Sequence, residues 1–205
     1  MTQPSAAALA SLKRYQRVFI SLLPKAELHA HLNGCIPLET LQELAQEYIP
    51  AEGSPAVDFS ALAAGVELTE IHDFFGLFPA IYALTSTPDA LRKATSAVIE
   101  SFVGSDPDAR AQGCSYLELR TGPRATPAMT RRVYLETVLD VIESYKADKV
   151  ALIVALDRKM TEDAAAEVVD LAIALKSEGR RVVGMDLCGE PTVCALWTRR
   201  CFSCG

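Results

Sequence analysis

Apolar residues recur along this chain with two different periods, and the changes of period divide it into predicted helices and strands. The run over 149–156 is almost entirely apolar, which is typical of a parallel strand that is buried on both faces. Shorter strands are predicted over 115–120 and 181–187, and helical spacing predicts helices over 130–146 and 161–177. This β-α-β-α-β order favours parallel strands joined by right-handed helical crossovers.

The amino-terminal part of the chain is predicted to be mostly helical. Apolar residues near helical spacing, from Leu9 to Leu22, predict a helix that leads into a first strand. Beyond that strand, helices are predicted over 37–48, 70–84 and 88–103, with a Pro- and Gly-containing loop over 50–58. These helices form a long insertion after the first strand.

The first strand carries the run Glu27-Leu28-His29-Ala30-His31-Leu32. Strand alternation puts Glu27, His29 and His31 on one face, and the apolar residues on the other face, which we expect to pack against helices. Imidazole is the commonest protein ligand for zinc and similar metals, so the pair indicates a metal site. The alternative is two exposed or hydrogen-bonded histidines, but only three histidines occur in 205 residues and two of them lie here.

Polar residues gather where the predicted strands end. Arg120 to Arg124 lie at the end of the second strand, Asp157 and Arg158 at the end of the third, and Asp186 to Glu190 at the end of the fourth. In α/β barrels and open parallel sheets the chemistry lies at the carboxyl ends of the strands. For any one of these residues the alternative is a loop charge or a helix cap, but these three strand ends and the histidine-bearing first strand together favour a site.

Composition narrows the function class. A net charge of −6 and a pI near 5.1 argue against a nucleic-acid partner. No apolar run approaches the roughly 18 residues of a membrane span, so we expect a soluble, cytoplasmic protein with reduced cysteines. The alternative for the basic, acid-poor amino terminus is a mitochondrial transit peptide.

Three runs carry a family resemblance. They are Leu23 to Gly34, Tyr116 to Arg120, and Gly184 to Glu190, and together they resemble the adenosine deaminase family, in particular its N6-methyl-AMP deaminase branch. The resemblance covers about 20–193, so we expect a partial deaminase domain over 1–193. The segment 194–205 resembles nothing in the family and is predicted to be a disordered tail with a spliced or frame-altered origin. The alternative there is a small metal site of Cys194, Cys201 and Cys204.

The resemblance implies an α/β fold, a (β/α)₈ TIM barrel, that hydrolyses the six-position amine of a purine nucleoside monophosphate. His29 and His31 would match two ligands of one zinc ion, which lowers the pKa of bound water. The residues that would match substrate contacts are His31, Asn33, Tyr82, Thr121, Gly122, Pro123, Arg124, Asp157 and Gly189. Among these, Arg124 suits the 5′-phosphate, because guanidinium binds phosphate oxygens with charge-assisted hydrogen bonds. Tyr82 stands where the branch usually has a histidine, and Gly122 where it has a hydroxyl residue.

About four strands are predicted, which is the amino-terminal half of a barrel that does not close. The third zinc histidine, the catalytic glutamate, a further histidine and the metal-binding aspartate of the family lie on later strands and have no counterpart here. We therefore expect no catalytic residue, an incomplete zinc ligand set, and a chain that is inactive alone. The full-length form is expected to be a monomer. Two alternatives remain: a non-catalytic half-barrel that associates with another chain or is degraded, and a different His-x-His metallohydrolase.

Overall fold

A computed structural model describes residues 10–50, 57–60, 62, 76–104 and 114–189 of the chain. Its described residues contain one sheet of four parallel strands in the order β1-β2-β3-β4. The strands are β1 (Lys25–His31), β2 (Cys114–Thr121), β3 (Val150–Asp157) and β4 (Val182–Cys188). Each of the last three lies within one or two residues of its predicted bounds.

Six α-helices surround or precede this sheet within the same residues. They are α1 (Arg14–Leu22), α2 (Leu38–Glu47), α3 (Phe78–Leu84), α4 (Pro88–Val103), α5 (Arg131–Ser144) and α6 (Glu162–Ser177). Threonine caps start three of them: the hydroxyls of Thr87, Thr130 and Thr161 each accept a hydrogen bond from the backbone N–H three residues on. The part of the predicted 70–84 helix before residue 76 lies outside the described residues.

The core forms where α4 and α5 cover β2 and β3. Leu117, Leu119 and Leu152 are fully buried in the sheet, and Tyr134 is fully buried on α5. Burying one such side chain stabilises a fold by about 1.5–3 kcal/mol. The apolar run of β3 is buried on both faces, as its sequence predicts.

The sheet is open at both ends in the described part of the chain. β1 pairs on one side with β2, and β4 pairs on one side with β3. Apolar side chains are exposed on both outer strands: Leu28 is 51% exposed on β1, and Val183 and Met185 are 45% and 41% exposed on β4. The prediction of four parallel strands in a sheet that does not close is confirmed for the described residues.

The face prediction for β1 is wrong at Leu28. Glu27 pairs with Leu117 and Ala30 pairs with Leu119, so two residues, Leu28 and His29, lie opposite Glu118 alone. Such a bulge breaks the two-residue alternation, and both Leu28 and His29 are exposed while Ala30 is buried.

Among the described residues there is no helix with the length and hydropathy needed to cross a bilayer. The predicted tail over 194–205, with Cys194, Cys201 and Cys204, lies outside the described residues.

Candidate metal and nucleotide site

The two strand histidines lie side by side at the carboxyl end of β1. Their ring centroids are 5.2 Å apart, and the ring planes meet at 65°. The carboxylate of Glu27 accepts a hydrogen bond of 2.7 Å from the backbone N–H of His29, so it fixes the strand at the bulge. The two rings are thus close neighbours at the end of the strand, and their role as metal ligands stays a prediction.

A buried arginine lies beside this pair. Arg120 is the ladder partner of His31 on β2, so the two side chains are neighbours on the same face of the sheet. Arg120 Nη1 donates a 2.7 Å hydrogen bond to the carboxylate of Asp186 on β4. Burial, with the positive charge of Arg120 and the proximity of His29, lowers the pKa of His31, while Asp186 acts against this. The low pKa favours the neutral imidazole, which is the form that binds metals.

Arg124 is fixed to the helical insertion. Its guanidinium donates to the carbonyl oxygen of Tyr82 (3.1 Å) and to the hydroxyl of Thr85 (2.8 Å). It also stacks on the Tyr82 ring, 4.1 Å from the centroid. Burial raises the pKa of Tyr82 although Arg124 acts in the opposite direction. Tyr82 therefore packs as a platform under the arginine for which the family resemblance implies a phosphate contact.

The segment between β2 and Arg124 follows the sheet closely. The Thr121 hydroxyl lies 2.8 Å from the Tyr134 hydroxyl and is buried with it. A Cβ on Gly122 would lie 3.3 Å from the carbonyl oxygen of Ala155, so a larger residue there would require β3 to shift slightly. Pro123 is buried. The hydroxyl of Thr121 is thus engaged within the protein.

The ends of β3 and β4 meet at Asp157 and Gly189. Asp157 Oδ1 accepts a 2.7 Å hydrogen bond from the backbone N–H of Lys159. Gly189 has a φ of +99°, and a Cβ there would lie 2.8 Å from Asp157 Oδ1. Only glycine therefore fits so close to this carboxylate, and Gly189 itself is exposed at the strand ends.

Two of the predicted nucleotide contacts carry a buried polar atom that has no hydrogen-bond partner in the described part of the chain. They are Asn33 Oδ1 and Arg124 Nε. The Nε atoms of Arg120 and Arg131 share this property. An unsatisfied buried polar group costs about 1–3 kcal/mol, so it is a position where a bound ligand would add stability.

The metal ligand set is partial in the described residues, which contain no cluster of three or more His, Cys, Asp or Glu side chains suited to one ion. The two imidazoles fit zinc by donor type, but a catalytic zinc site usually has three protein ligands. A cavity of about 380 Å³ between α2 and the α3–α4 corner, which includes Tyr48 and Lys93, contains none of the predicted site residues.

The sequence places Arg120 and Asp186 among the polar residues at the strand ends without giving either of them a role, and it does not indicate Thr85. The charge of Arg120 within a buried strand is the available signal for its role. The contact of Thr85 with Arg124 joins residues 39 positions apart, and no local pattern marks it.

Comparisons with known proteins match this chain to one family. The family model described as adenosine deaminase matches residues 24–202. N6-methyl-AMP deaminase-L of Xenopus laevis is 36% identical over 181 residues, which is 83% of this chain and 48% of that protein. The chain therefore spans about half the length of the curated relatives it matches.

Solved structures give the same result. The crystal structure of Arabidopsis ADAL complexed with IMP has a TM-score of 0.69 and 30% identity, covering 88% of this chain and 54% of that one. Among the sequence relatives, human N6-methyl-AMP deaminase is also 36% identical, and the match covers 85% of this chain and 48% of the human protein. The TIM-barrel ADAL structures thus extend well beyond the four strands described here.

Proposed function

The chain belongs to the adenosine deaminase family, and on that premise we propose that it carries the amino-terminal half of a zinc-dependent N6-methyl-AMP deaminase site. The reaction consumes N6-methyl-AMP and water and yields IMP and methylamine. The observation that carries the proposal is the pair of unsatisfied buried atoms, Asn33 Oδ1 and Arg124 Nε, at two positions where the family resemblance implies nucleotide contacts.

His29 and His31 are the residues that would hold the metal. Their 5.2 Å ring separation and the lowered pKa of His31 support this role, because the neutral imidazole is the ligating form. When bound, zinc supplies Lewis acidity and lowers the pKa of a water molecule toward about 7.

The remaining residues bind and orient the nucleotide. Arg124, held by Tyr82 and Thr85, offers a fixed positive charge to the 5′-phosphate. Asn33 offers its amide to the ligand, and the exposed backbone of Gly189 beside Asp157 allows a planar ring to approach. Arg124 needs no rearrangement for its role, because contacts with Tyr82 and Thr85 already hold its guanidinium.

Nucleotide binding tests the proposal. Calorimetry of AMP and adenosine with the full chain should give tighter binding of AMP. Arg124→Gln should reduce the ratio of AMP affinity to adenosine affinity about tenfold, because it removes a charge-assisted hydrogen bond to phosphate. The matched control is Arg131→Gln, since Arg131 also has a buried, unsatisfied Nε in the described residues but pairs with Glu167 on α6. Equal AMP and adenosine affinities in the wild-type chain would contradict the proposed phosphate contact.

Turnover is tested separately. We expect no IMP from N6-methyl-AMP and zinc above a zinc-only control. The described residues offer two imidazoles to the metal, and they contain no cluster of three or more suitable ligands. Product formed by the purified chain would overturn the proposed inactivity while supporting the proposed reaction.

A second candidate function is that of a non-catalytic half-barrel that associates with another chain. The exposed Leu28, Val183 and Met185 on the outer strands favour it, because open sheet edges invite pairing. Size-exclusion chromatography separates the two candidates. A compact monomer with cooperative melting would exclude association.

A further inference from the structure

The bulge in β1 occurs at the histidine pair and changes which backbone N–H and C=O groups of β1 can pair with β2. Leu28 and His29 lie opposite the single residue Glu118, so the regular pairing with β2 is interrupted at the residue before His29. Bulges of this kind re-aim side chains and are common beside functional sites. The orientation of both imidazoles therefore depends on what holds the bulged backbone.

Arg120 holds the bulged backbone in place. Its Nη2 donates a 2.5 Å hydrogen bond to the carbonyl oxygen of Leu28, and its Nη1 donates a 2.7 Å hydrogen bond to Asp186. The arginine lies on β2 and is only 8% exposed, whereas Asp186 lies on β4, two strands away from β2. One guanidinium thus ties the bulge of β1 to β4 across the face of the sheet that carries His31.

From this geometry we propose that Arg120 is a positioning residue for the metal site, and that it fixes the bulge of β1 so that His29 and His31 present their rings to one cation. Asp186 contributes to the same positioning, because its carboxylate orients the guanidinium of Arg120. The metal-binding part of this inference rests on the function proposed above, whereas the hold on β1 does not.

The chemistry of arginine explains why a lysine would not serve. The planar guanidinium donates in two fixed directions at once, which matches a carbonyl oxygen on one side and a carboxylate on the other. The lysine ammonium is a compact point charge at the end of a flexible chain, so it cannot keep both contacts in the same geometry. Arg120→Lys therefore keeps the charge beside His31 and removes the fork.

The experiment uses the full chain without metal and then with Zn²⁺. Amide hydrogen exchange, read by mass spectrometry, is followed in a peptide over β1 and in a reference peptide over β3. In Arg120→Lys we expect exchange in β1 to rise about tenfold, since the variant loses a charge-assisted hydrogen bond, with β3 unchanged. Zn²⁺ affinity, measured by competition with a chromophoric chelator, should fall by about tenfold or more.

The matched control is Arg181→Lys. Arg181 also binds backbone carbonyls, those of Ile142, Tyr145, Lys146 and Val150, but it precedes β4 at the opposite end of the sheet from His31. We expect a lower melting temperature for this variant, with β1 exchange and Zn²⁺ affinity unchanged. This separates positioning of the histidines from a general loss of stability.

Far-UV circular dichroism shows whether Arg120→Lys folds, and a second variant is used if it does not. Asp186→Asn retains the shape and one acceptor, so β1 exchange should rise by less than in Arg120→Lys. Unchanged β1 exchange in every folded variant overturns the proposal. If the wild-type chain binds no Zn²⁺, the proposed metal site fails, and the exchange of β1 still decides the role of Arg120.

Discussion

Gly189 and Asp157 define how closely two strand ends approach at the candidate site. The glycine adopts a φ of +99°, and a Cβ at this position would lie 2.8 Å from the Asp157 carboxylate. Two costs therefore meet at one residue: a backbone conformation that L-residues rarely adopt, and a side chain in the space of the carboxylate.

Gly189→Ala should destabilise the chain by more than the roughly 1–2 kcal/mol that the positive φ alone costs. Gly179→Ala is the matched control, because Gly179 has a φ of +82° and open space around its Cα. Urea unfolding monitored by circular dichroism measures both variants. Equal losses would contradict the close approach of Gly189 to Asp157.

Cys188 makes stability depend on alkaline pH. Burial, together with the carboxylates of Asp157 and Asp186, raises the pKa of the Cys188 thiol to about 11 from 9.0. The unfolded chain loses this proton at lower pH than the folded chain, so the stabilisation is complete below pH 9 and is lost as the pH rises toward 11.

Unfolding in urea at pH 8 and pH 10 tests this dependence. The wild-type chain should lose more stability between the two values than Cys188→Ser, whose hydroxyl does not titrate in this range. A variant that loses as much as the wild type would show that the thiol does not contribute.

At the scale of elements, α6 shows how local sequence determines a helix. Its N-cap Thr161 accepts a hydrogen bond from the N–H of Ala164, and Glu162 and Asp163 lie in the first turn, where negative charge is favourable. Because caps and apolar spacing act within a few residues, the helices and the buried strand β3 could be predicted from the sequence alone.

Thr161→Ala should lower the free energy of unfolding by about 1 kcal/mol, since it removes the cap of α6. Thr161→Ser keeps a hydroxyl at the same position and should retain most of the stability. Thermal unfolding of the three proteins provides the comparison, and equal melting temperatures for all of them would exclude a contribution from the cap.

The bulge of β1 could not be predicted in the same way. It depends on pairing with β2, where Glu27 meets Leu117, and on a hydrogen bond from Arg120 to Leu28 across 92 positions of the chain. Strict alternation predicts that His29 and His31 share a face, and their rings lie 5.2 Å apart, but it misplaces Leu28, which is exposed.

At the scale of the molecule, the dominant physical feature of the described residues is a sheet that is open at both edges. Val183 and Met185 are exposed on the same face of β4, and Leu28 is exposed on β1 at the other end of the sheet. Strand order and openness were predictable, because four βα segments cannot close an eight-stranded barrel. The anchoring of Arg124 by Tyr82 and Thr85 was not, because it joins the helical insertion to the segment after β2.

Exposed outer strands should make the purified chain associate as its concentration rises. Introducing charge on β4 with Val183→Lys and Met185→Lys should reduce this association, because lysine on an edge strand opposes pairing. Ile173→Lys on α6 is the control, since Ile173 is 58% exposed but lies on a helix. Light scattering coupled to size-exclusion chromatography gives the mass, and unchanged association in the β4 variant would contradict a role for this edge.

Zinc stoichiometry by equilibrium dialysis tests the central claim most directly. The account predicts about one Zn²⁺ bound per wild-type chain, none after combined His29→Ala and His31→Ala, and wild-type binding after Cys194→Ser, Cys201→Ser and Cys204→Ser. Zinc retained by the double histidine variant would contradict the assignment of the metal to the carboxyl end of β1.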